Sequence, residues 1–172
     1  MGLGEDDLRQ WGQYDREALA AGEFWRLITA HFVHLGWGHL WLNVTALVMM
    51  AALFDTVMTA ADWVLACVLC VMTIDIGLYV LQPEVAWYVG LSGMLHGLIV
   101  VGAVALTRSV APLGYALLLA VLGKIVWEQV VGPMPSSEST SGGPVLVDAH
   151  LYGVVGGLLS ELIRMVRRRR AA

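Results

Sequence analysis

The chain has 172 residues, of which 58% are apolar and only 14% are charged. Soluble proteins carry about 25% charged residues, and a soluble domain of this length needs more polar surface than this sequence supplies. The mean hydropathy of +0.72 agrees, so composition excludes an ordinary soluble enzyme and favours an integral-membrane protein. The net charge of −4 conceals an acidic N-terminal part and an arginine-rich C-terminus.

Residues 1–38 precede the first long apolar stretch. They open with the acidic residues Glu5, Asp6 and Asp7, whereas a secretory signal peptide opens with a basic and then an apolar region. We interpret residues 1–38 as an N-terminal segment and loop that lies outside the apolar part of the chain.

Five apolar stretches follow, each close to the roughly 20 residues that a helix needs to cross a bilayer. The predicted spans are residues 39–58, 62–81, 92–108, 112–131 and 148–166. Proline, glycine or charged residues separate most of them. The pattern predicts an all-α, polytopic membrane helix bundle with five visible transmembrane helices. Its transmembrane domain covers residues 39–166, and a basic tail covers residues 167–172.

Basic residues predict the orientation, because Lys and Arg concentrate on the cytoplasmic side of membrane proteins. The arginines at 167–170 place the C-terminus in the cytoplasm, and Arg108 falls on the same side when the spans alternate. The loops 82–91 and 132–148 and the segment 1–38 then face outward. A basic tail can indicate nucleic-acid binding, but beside an apolar helix it is typical of a membrane anchor. We predict no nucleic-acid partner.

The alternation brings distant polar residues to one depth. The first, third and fifth spans all begin at the outer face, and near their starts lie His39, Asn43, Ser92 and His150. Three helix dipoles also point their positive ends there, which favours developing negative charge. Because polar residues within a membrane are costly, they indicate function by default.

Ser92 stands where a predicted loop becomes a helix, within Gly90-Leu91-Ser92-Gly93. The two flanking glycines allow a tight turn and let another group approach the hydroxyl. The pattern alone is a weak signal, because serine and glycine also line ordinary helix interfaces.

His150 lies on a predicted helix with small residues at four-residue spacing, namely Ala149, Gly153 and Gly157. Gly93 and Gly97 repeat this spacing on the helix of Ser92, and such stripes let two helices pack closely. If these helices are partners, the imidazole can reach the hydroxyl and act as its general base. The alternative is a histidine that is hydrogen-bonded at the interface without a chemical role.

We predict a dyad of Ser92 and His150, because no carboxylate is evident that would orient the histidine. Asp148 is two residues from His150, too close in sequence to orient it, and is interpreted as a helix cap.

His39 and Asn43 are four residues apart and therefore share one face of the first span. Both can donate hydrogen bonds, as a tetrahedral oxyanion requires, and the backbone amides of Leu91 and Ser92 can add to them. The alternative is a pair of interfacial polar residues that reach toward water.

Four motifs occur together and in order over roughly residues 24–166. They are Trp25-Arg26, H-x-x-x-N at His39 and Asn43, G-x-S-G at Gly90 to Gly93, and A-H-x-x-G-x-x-x-G at Ala149 to Gly157. This series resembles the rhomboid intramembrane proteases. The resemblance implies that Ser92 attacks, that His150 is the base, and that His39 and Asn43 help to form the oxyanion hole. It also implies cleavage of membrane-anchored proteins within the lipid bilayer, with no metal and no cofactor.

A narrower likeness is to the rhombosortases, a short bacterial branch of that family. It rests on Gly-Leu-Ser-Gly-Met-Leu-His-Gly at residues 90–97, on Trp127-Glu128-Gln129 and on the compact length. The resemblance assigns His96, one turn after Ser92, a supporting role against the catalytic histidine, although His96 could also compete as the base. It implies substrates that end in a Gly-Gly motif, an apolar helix and a basic tail. It further implies a multi-pass protein of the bacterial inner membrane, with the active site open to the periplasm.

The chain departs from the family in one respect, since rhomboids usually have at least six spans and the first family helix is apparently missing. Nothing in the sequence would translocate the acidic segment, so we hypothesise a further helix encoded upstream of Met1. Without that helix, the loop that holds Trp25 and Arg26 would lack its anchor.

Other polar residues have simpler interpretations. Lys124 and Glu128, four apart, are interpreted as a neutralising pair, with a proton relay as the alternative. Asp75 is expected to face the bundle or line water. His31, His34 and His39 could suggest a zinc site, but no acidic or cysteine ligand accompanies them at H-E-x-x-H spacing, and we predict no metal. Cys67 and Cys70 are interpreted as packing cysteines, and residues 136–143 as a flexible outer loop.

Two other functions stay open at this point. One is a catalytically inactive rhomboid-like protein that binds membrane clients, against which the intact Ser92 and His150 argue. The other is a small transporter that uses Asp75, Lys124 and Glu128, although no inverted repeat is apparent.

Overall fold

The computed structural model describes residues 5–171, and side chains over residues 7–170. The N-terminal part holds four short elements: α1 (Glu5–Gly12), β1 (Tyr14–Asp15), α2 (Arg16–Ala20) and α3 (Arg26–Thr29). The rest holds α4 (Trp37–Phe54), α5 (Ala60–Ile76), a π-helical turn (Gly77–Leu81), β2 (Trp87–Tyr88), α6 (Ser92–Leu106), α7 (Ala111–Val130), α8 (Ser137–Ser141) and α9 (Val147–Ala171).

The predicted all-α membrane helix bundle is confirmed, with a helix at each of the five expected positions. Three are long and apolar enough to cross a membrane, namely Trp37–Phe54, Ala60–Leu81 and Ala111–Val130. The helix α6 is apolar but has only 15 residues. The helix α9 has 25 residues and carries several charged side chains in its second half.

The short helix α6 is the centre of the bundle. Most of its residues are buried, and it packs against α4, α5, α7 and α9. Its closest partner is α9, along a seam of Gly93, Gly97, Gly153 and Gly157, here called the glycine seam. A Cβ on Gly93 would lie 2.8 Å from the Ala149 carbonyl oxygen, and one on Gly153 would overlap the Gly93 backbone. The predicted small-residue stripes are therefore the contact surfaces of these two helices.

The cytoplasmic tail predicted at residues 167–172 is not a separate segment over its described part. The helix α9 continues without a break to Ala171, and Ala172 lies outside the described residues. Arg164, which the sequence groups with the basic end, is instead buried in an ion-pair network. Its guanidinium binds the carboxylates of Asp62 at 2.8 Å and Glu161 at 2.6 Å.

The N-terminal segment is folded onto the bundle and is not only a loop. Its strand β1 pairs antiparallel with β2, with Tyr14 opposite Tyr88. The guanidinium of Arg16 donates hydrogen bonds to four carbonyls at the end of the π-helical turn and just beyond it, those of Leu78, Tyr79, Gln82 and Val85. Charged donors of this kind satisfy carbonyls that a helix end leaves open.

A buried pair adds a second attachment of this segment. The His31 ring is fully buried and contacts the Asp75 carboxylate of α5 at 3.2 Å. This confirms that Asp75 faces the bundle. Trp25 stacks on Trp11, and Arg26 is buried between backbone carbonyls of the same segment. The chain thus anchors the Trp25-Arg26 loop through contacts that the sequence did not predict.

The segment 136–143 also differs from the expected flexible loop, since it contains the short helix α8. Ser136 precedes this helix with a positive φ of 65°, and Gly142 follows it with a φ of 80°. A left-handed glycine such as Gly142 is a common end of a helix.

Candidate active site

A cavity of about 680 Å³ opens beside the N-terminus of α6. Apolar side chains of α4, α6 and α7 line it, together with residues of the loop before Ser92 and of the segment after α8. Its polar lining includes His39, Asn43, Ser92, His96, Lys124, Glu128 and His150, and also Glu84, Ser137 and Ser141. The cavity therefore combines an apolar lining with polar residues from several helices.

Ser92 and His150 lie in contact at the floor of this cavity. The Ser92 Oγ is 3.0 Å from the His150 Nε2, which is hydrogen-bond distance. The imidazole is 4% exposed, and Ser92 is half-buried, so the hydroxyl remains open to the cavity. Ser92 is the first residue of α6 and His150 lies in the first turn of α9, so the glycine seam brings the pair together.

The loop ahead of Ser92 needs glycine at position 90. Gly90 has a φ of +121°, a conformation that residues with a Cβ rarely adopt, and a Cβ there would lie 2.8 Å from the His39 ring. Its amide donates to the Ala30 carbonyl at 2.9 Å, and the Tyr88 hydroxyl donates to the Gly90 carbonyl at 2.7 Å. Burial raises the pKa of Tyr88, so the phenol stays protonated and able to donate.

His150 has a carboxylate partner, which differs from the expected dyad. The Glu128 Oε2 lies 2.8 Å from the His150 Nδ1. A carboxylate only accepts, so the Nδ1 carries the proton and the Nε2 is left to accept from Ser92. The other carboxylate oxygen of Glu128 contacts the Lys124 ammonium, as the predicted neutralising pair requires.

The His96 ring stacks on the His150 ring, with centroids 4.1 Å apart and planes at 22°. The His96 Nδ1 donates to the Ser92 carbonyl at 2.7 Å, which fixes the ring over α6. His96 therefore contacts the ring of the predicted base and the backbone of Ser92.

His39 and Asn43 face the same cavity as Ser92. The Leu35 amide donates to the His39 Nδ1 at 3.5 Å, so the Nε2 carries the proton and can donate. Asn43 is 3% exposed, and its Nδ2 has no hydrogen-bond partner among the described residues. A buried amide without a partner is uncommon, and this one can donate a hydrogen bond to an acceptor on a ligand. The backbone amides at the start of α6, including those of Leu91 and Ser92, adjoin this site.

Other expectations meet a mixed outcome. Asp148 is the second residue of α9, so it lies inside the first turn and not at the expected cap position ahead of the helix. Its negative charge there still interacts favourably with the helix dipole. Cys70 is buried, with its Sγ 3.4 Å from the Gly153 carbonyl, in keeping with a packing role.

The structure does not bring His31, His34 and His39 together as one set. The His31 Nε2 is taken by Asp75, while the His34 and His39 rings meet edge to face. Within residues 5–171, one group of three ligating atoms lies within 4.8 Å, that of His96, Glu128 and His150. Two of these side chains already bind each other, and the stacked histidine rings direct their nitrogen lone pairs along separate, nearly parallel planes.

Comparison with known proteins gives two matches. The Rhomboid domain family matches residues 21–167 of this chain. A curated protein of Bacillus subtilis (strain 168), named "Putative rhomboid protease YdcA", is 25% identical over 152 residues, which cover 88% of this chain and 73% of that protein. No solved structure matches.

Proposed function

Since this chain belongs to the rhomboid family of intramembrane serine peptidases, we propose that Ser92 is its nucleophile and His150 its general base. One contact carries the assignment, the 3.0 Å approach of the Ser92 Oγ to the His150 Nε2 in a cavity between helices. This intact pair also argues against the inactive, client-binding alternative.

The geometry supports a two-step acyl transfer. The Ser92 Oγ attacks the scissile carbonyl carbon while its proton passes to the His150 Nε2. The oxyanion then accepts hydrogen bonds from Asn43, His39 and the first amides of α6. His150 returns the proton to the departing amine, which leaves an acyl-enzyme on Ser92. Water attacks the acyl carbon with His150 again as base, and the serine is regenerated.

The dimensions of α6 support cleavage below the membrane surface. Its 15 residues span about 22 Å, against about 30 Å for the hydrocarbon core. Arg108, just beyond its inner end, pairs with Glu161 of α9 at 3.5 Å, which holds that end near the inner boundary. Ser92 then lies about 8 Å below the outer boundary. Only a polar recess such as this cavity can supply water there.

For the substrate, we propose rhombosortase-type processing of C-terminal tails. The support is the resemblance of residues 90–97 and of Trp127-Glu128-Gln129, together with a largely apolar cavity beside Ser92 that suits the apolar part of such a tail. The arginines at 167–170 favour a cytoplasmic C-terminus, which puts the site on the periplasmic side of a bacterial inner membrane.

Co-expression with a designed reporter tests both levels of the proposal. The reporter is a periplasmic passenger followed by Gly-Gly, about 20 apolar residues and a run of arginines. We expect cleavage by the wild type and by Ser109→Ala, a control serine just beyond the other end of α6, and none by Ser92→Ala or His150→Ala. Cleavage that persists in Ser92→Ala would show that Ser92 is not the nucleophile. Equal cleavage of a reporter with Leu-Leu in place of Gly-Gly would refute the proposed preference for Gly-Gly tails and leave the nucleophile assignment intact.

A further inference from the structure

We propose that Glu128, held by Lys124, is a positioning residue that makes His150 the middle member of a triad. This inference rests on the proposed function and adds a residue to it. From the sequence, we interpret Lys124 and Glu128 as a neutralising ion pair. In the structure, the Glu128 carboxylate of that pair also contacts His150, the predicted base.

The two carboxylate oxygens of Glu128 contact different partners. The Oε1 contacts the Lys124 ammonium, one helical turn earlier on α7, and the Oε2 accepts from the His150 Nδ1 at 2.8 Å. The Glu128 side chain is 1% exposed, whereas that of Lys124 is 33% exposed and lines the cavity. A buried carboxylate without a counter-charge would be strongly destabilising, so Lys124 allows the carboxylate to stand beside His150.

The contact selects the reactive form of the base. With its proton held on Nδ1, the imidazole presents the Nε2 lone pair to the Ser92 hydroxyl. When the Nε2 takes the serine proton, the positive ring faces a negative carboxylate in a site that excludes most water. Such electrostatic stabilisation acts on the transition state more than on the bound substrate.

His96 and Glu128 restrict different motions of the same ring. Glu128 holds one edge of the His150 imidazole in its plane, and His96 covers one face at a centroid distance of 4.1 Å. His96 is itself fixed by the Ser92 carbonyl, so the base is aligned by contacts from α6 and α7. The ring therefore needs no rearrangement before it accepts the proton.

The competing explanation is that Lys124 and Glu128 only stabilise α7. Three variants of the full chain separate the two explanations: Glu128→Gln, Lys124→Gln and the double variant. The measurements are Tm in detergent micelles, kcat and KM on the Gly-Gly reporter, and the labelling rate with a fluorophosphonate probe.

We expect Glu128→Gln to lower kcat by about 100-fold or more with little change in KM, since loss of the carboxylate of a serine-protease triad lowers kcat by up to about 10⁴. Lys124→Gln keeps the carboxylate on His150, so its loss of kcat should be smaller than that of Glu128→Gln. Each single variant leaves one charge of the pair without its partner and should lower Tm. The double variant removes both charges, so its Tm should return toward the wild-type value while its kcat stays low.

A cycle with His150 shows whether Glu128 acts through the base. In the His150→Ala background, Glu128→Gln should produce no further fall in labelling, because residues that act as a unit are not additive. Wild-type kcat in Glu128→Gln, or a double variant that recovers kcat together with Tm, would overturn the inference. If Ser92→Ala stays unlabelled and His150→Ala stays far slower than the wild type in the same assays, the proposed function survives that outcome.

Discussion

The glycine seam between α6 and α9 should be intolerant of a single added methyl group. In Gly153→Ala, the new Cβ would overlap the backbone of Gly93, which cannot swing aside as a flexible side chain can. Overpacking of this kind costs about 1–3 kcal/mol. Because the overlap is with backbone, the cost should lie near the upper end of this range. Alanine regains about 0.5–1 kcal/mol by its better helix propensity, so the net loss should be about 2 kcal/mol.

This loss has two measurable consequences. For a chain of this size, it corresponds to a fall in Tm of about 4–8 °C in detergent micelles. The seam also sets the 3.0 Å approach of Ser92 to His150, and a displacement of about 1 Å at a reacting group can lower the rate about 100-fold. Tm and the cleavage rate of the Gly-Gly reporter should therefore fall together.

Gly123→Ala is the matched control. Gly123 lies within α7, and a Cβ at that position would meet nothing within 4 Å. Its substitution should leave cleavage unchanged and Tm unchanged or slightly higher. If Gly153→Ala behaves like Gly123→Ala in both measurements, the close packing of α6 on α9 does not hold the two reactive groups in place.

Three further predictions each concern one side chain. Asn43→Ala removes the unpartnered buried amide and should lower kcat on the reporter about 100-fold with little effect on KM; a change in KM alone would contradict its role as an oxyanion donor. Arg16→Met removes the donors to four carbonyls and should destabilise the chain by at least about 2 kcal/mol, read as a lower Tm; an unchanged Tm would show that the N-terminal segment is not anchored there. Burial raises the pKa of Tyr14, and its fully buried hydroxyl lacks a partner within residues 5–171, so Tyr14→Phe should leave Tm unchanged or raise it; a clear fall would reveal an unseen partner.

The bundle was predictable because its signals are local. Apolar length identifies the helices, and small residues at four-residue spacing identify the surfaces of α6 and α9 that meet. Ser92 and His150 could be paired from those two facts and from the alternation of the spans. The end of α9 was less predictable, since an arginine run beyond an apolar stretch does not reveal whether the helix continues.

The role of Glu128 could not be predicted from sequence. Its spacing from Lys124 is enough to explain a charged residue in an apolar helix, so the sequence gives no reason to look for another partner. The contact with His150 joins α7 to α9, and no local sequence pattern determines how these two helices are rotated relative to each other. One signal was available, since an ion pair so near the outer end of its span lies at the predicted depth of the other site residues.

The attachment of the N-terminal segment was missed for a different reason. Its helices are short, and its strand has two residues, so neither shows a clear periodicity. It is held by Arg16 on backbone carbonyls and by His31 on Asp75. Such contacts depend on the fold of the bundle and become visible only with it.

The most direct test of the central assignment is to locate the nucleophile chemically. Purified wild type and His150→Ala would be treated with a fluorophosphonate probe, digested and analysed by mass spectrometry. We expect one adduct, on Ser92, that forms rapidly in the wild type and only at a slow residual rate in His150→Ala. An adduct on another residue, or equal labelling of Ser92 without His150, would contradict the assignment.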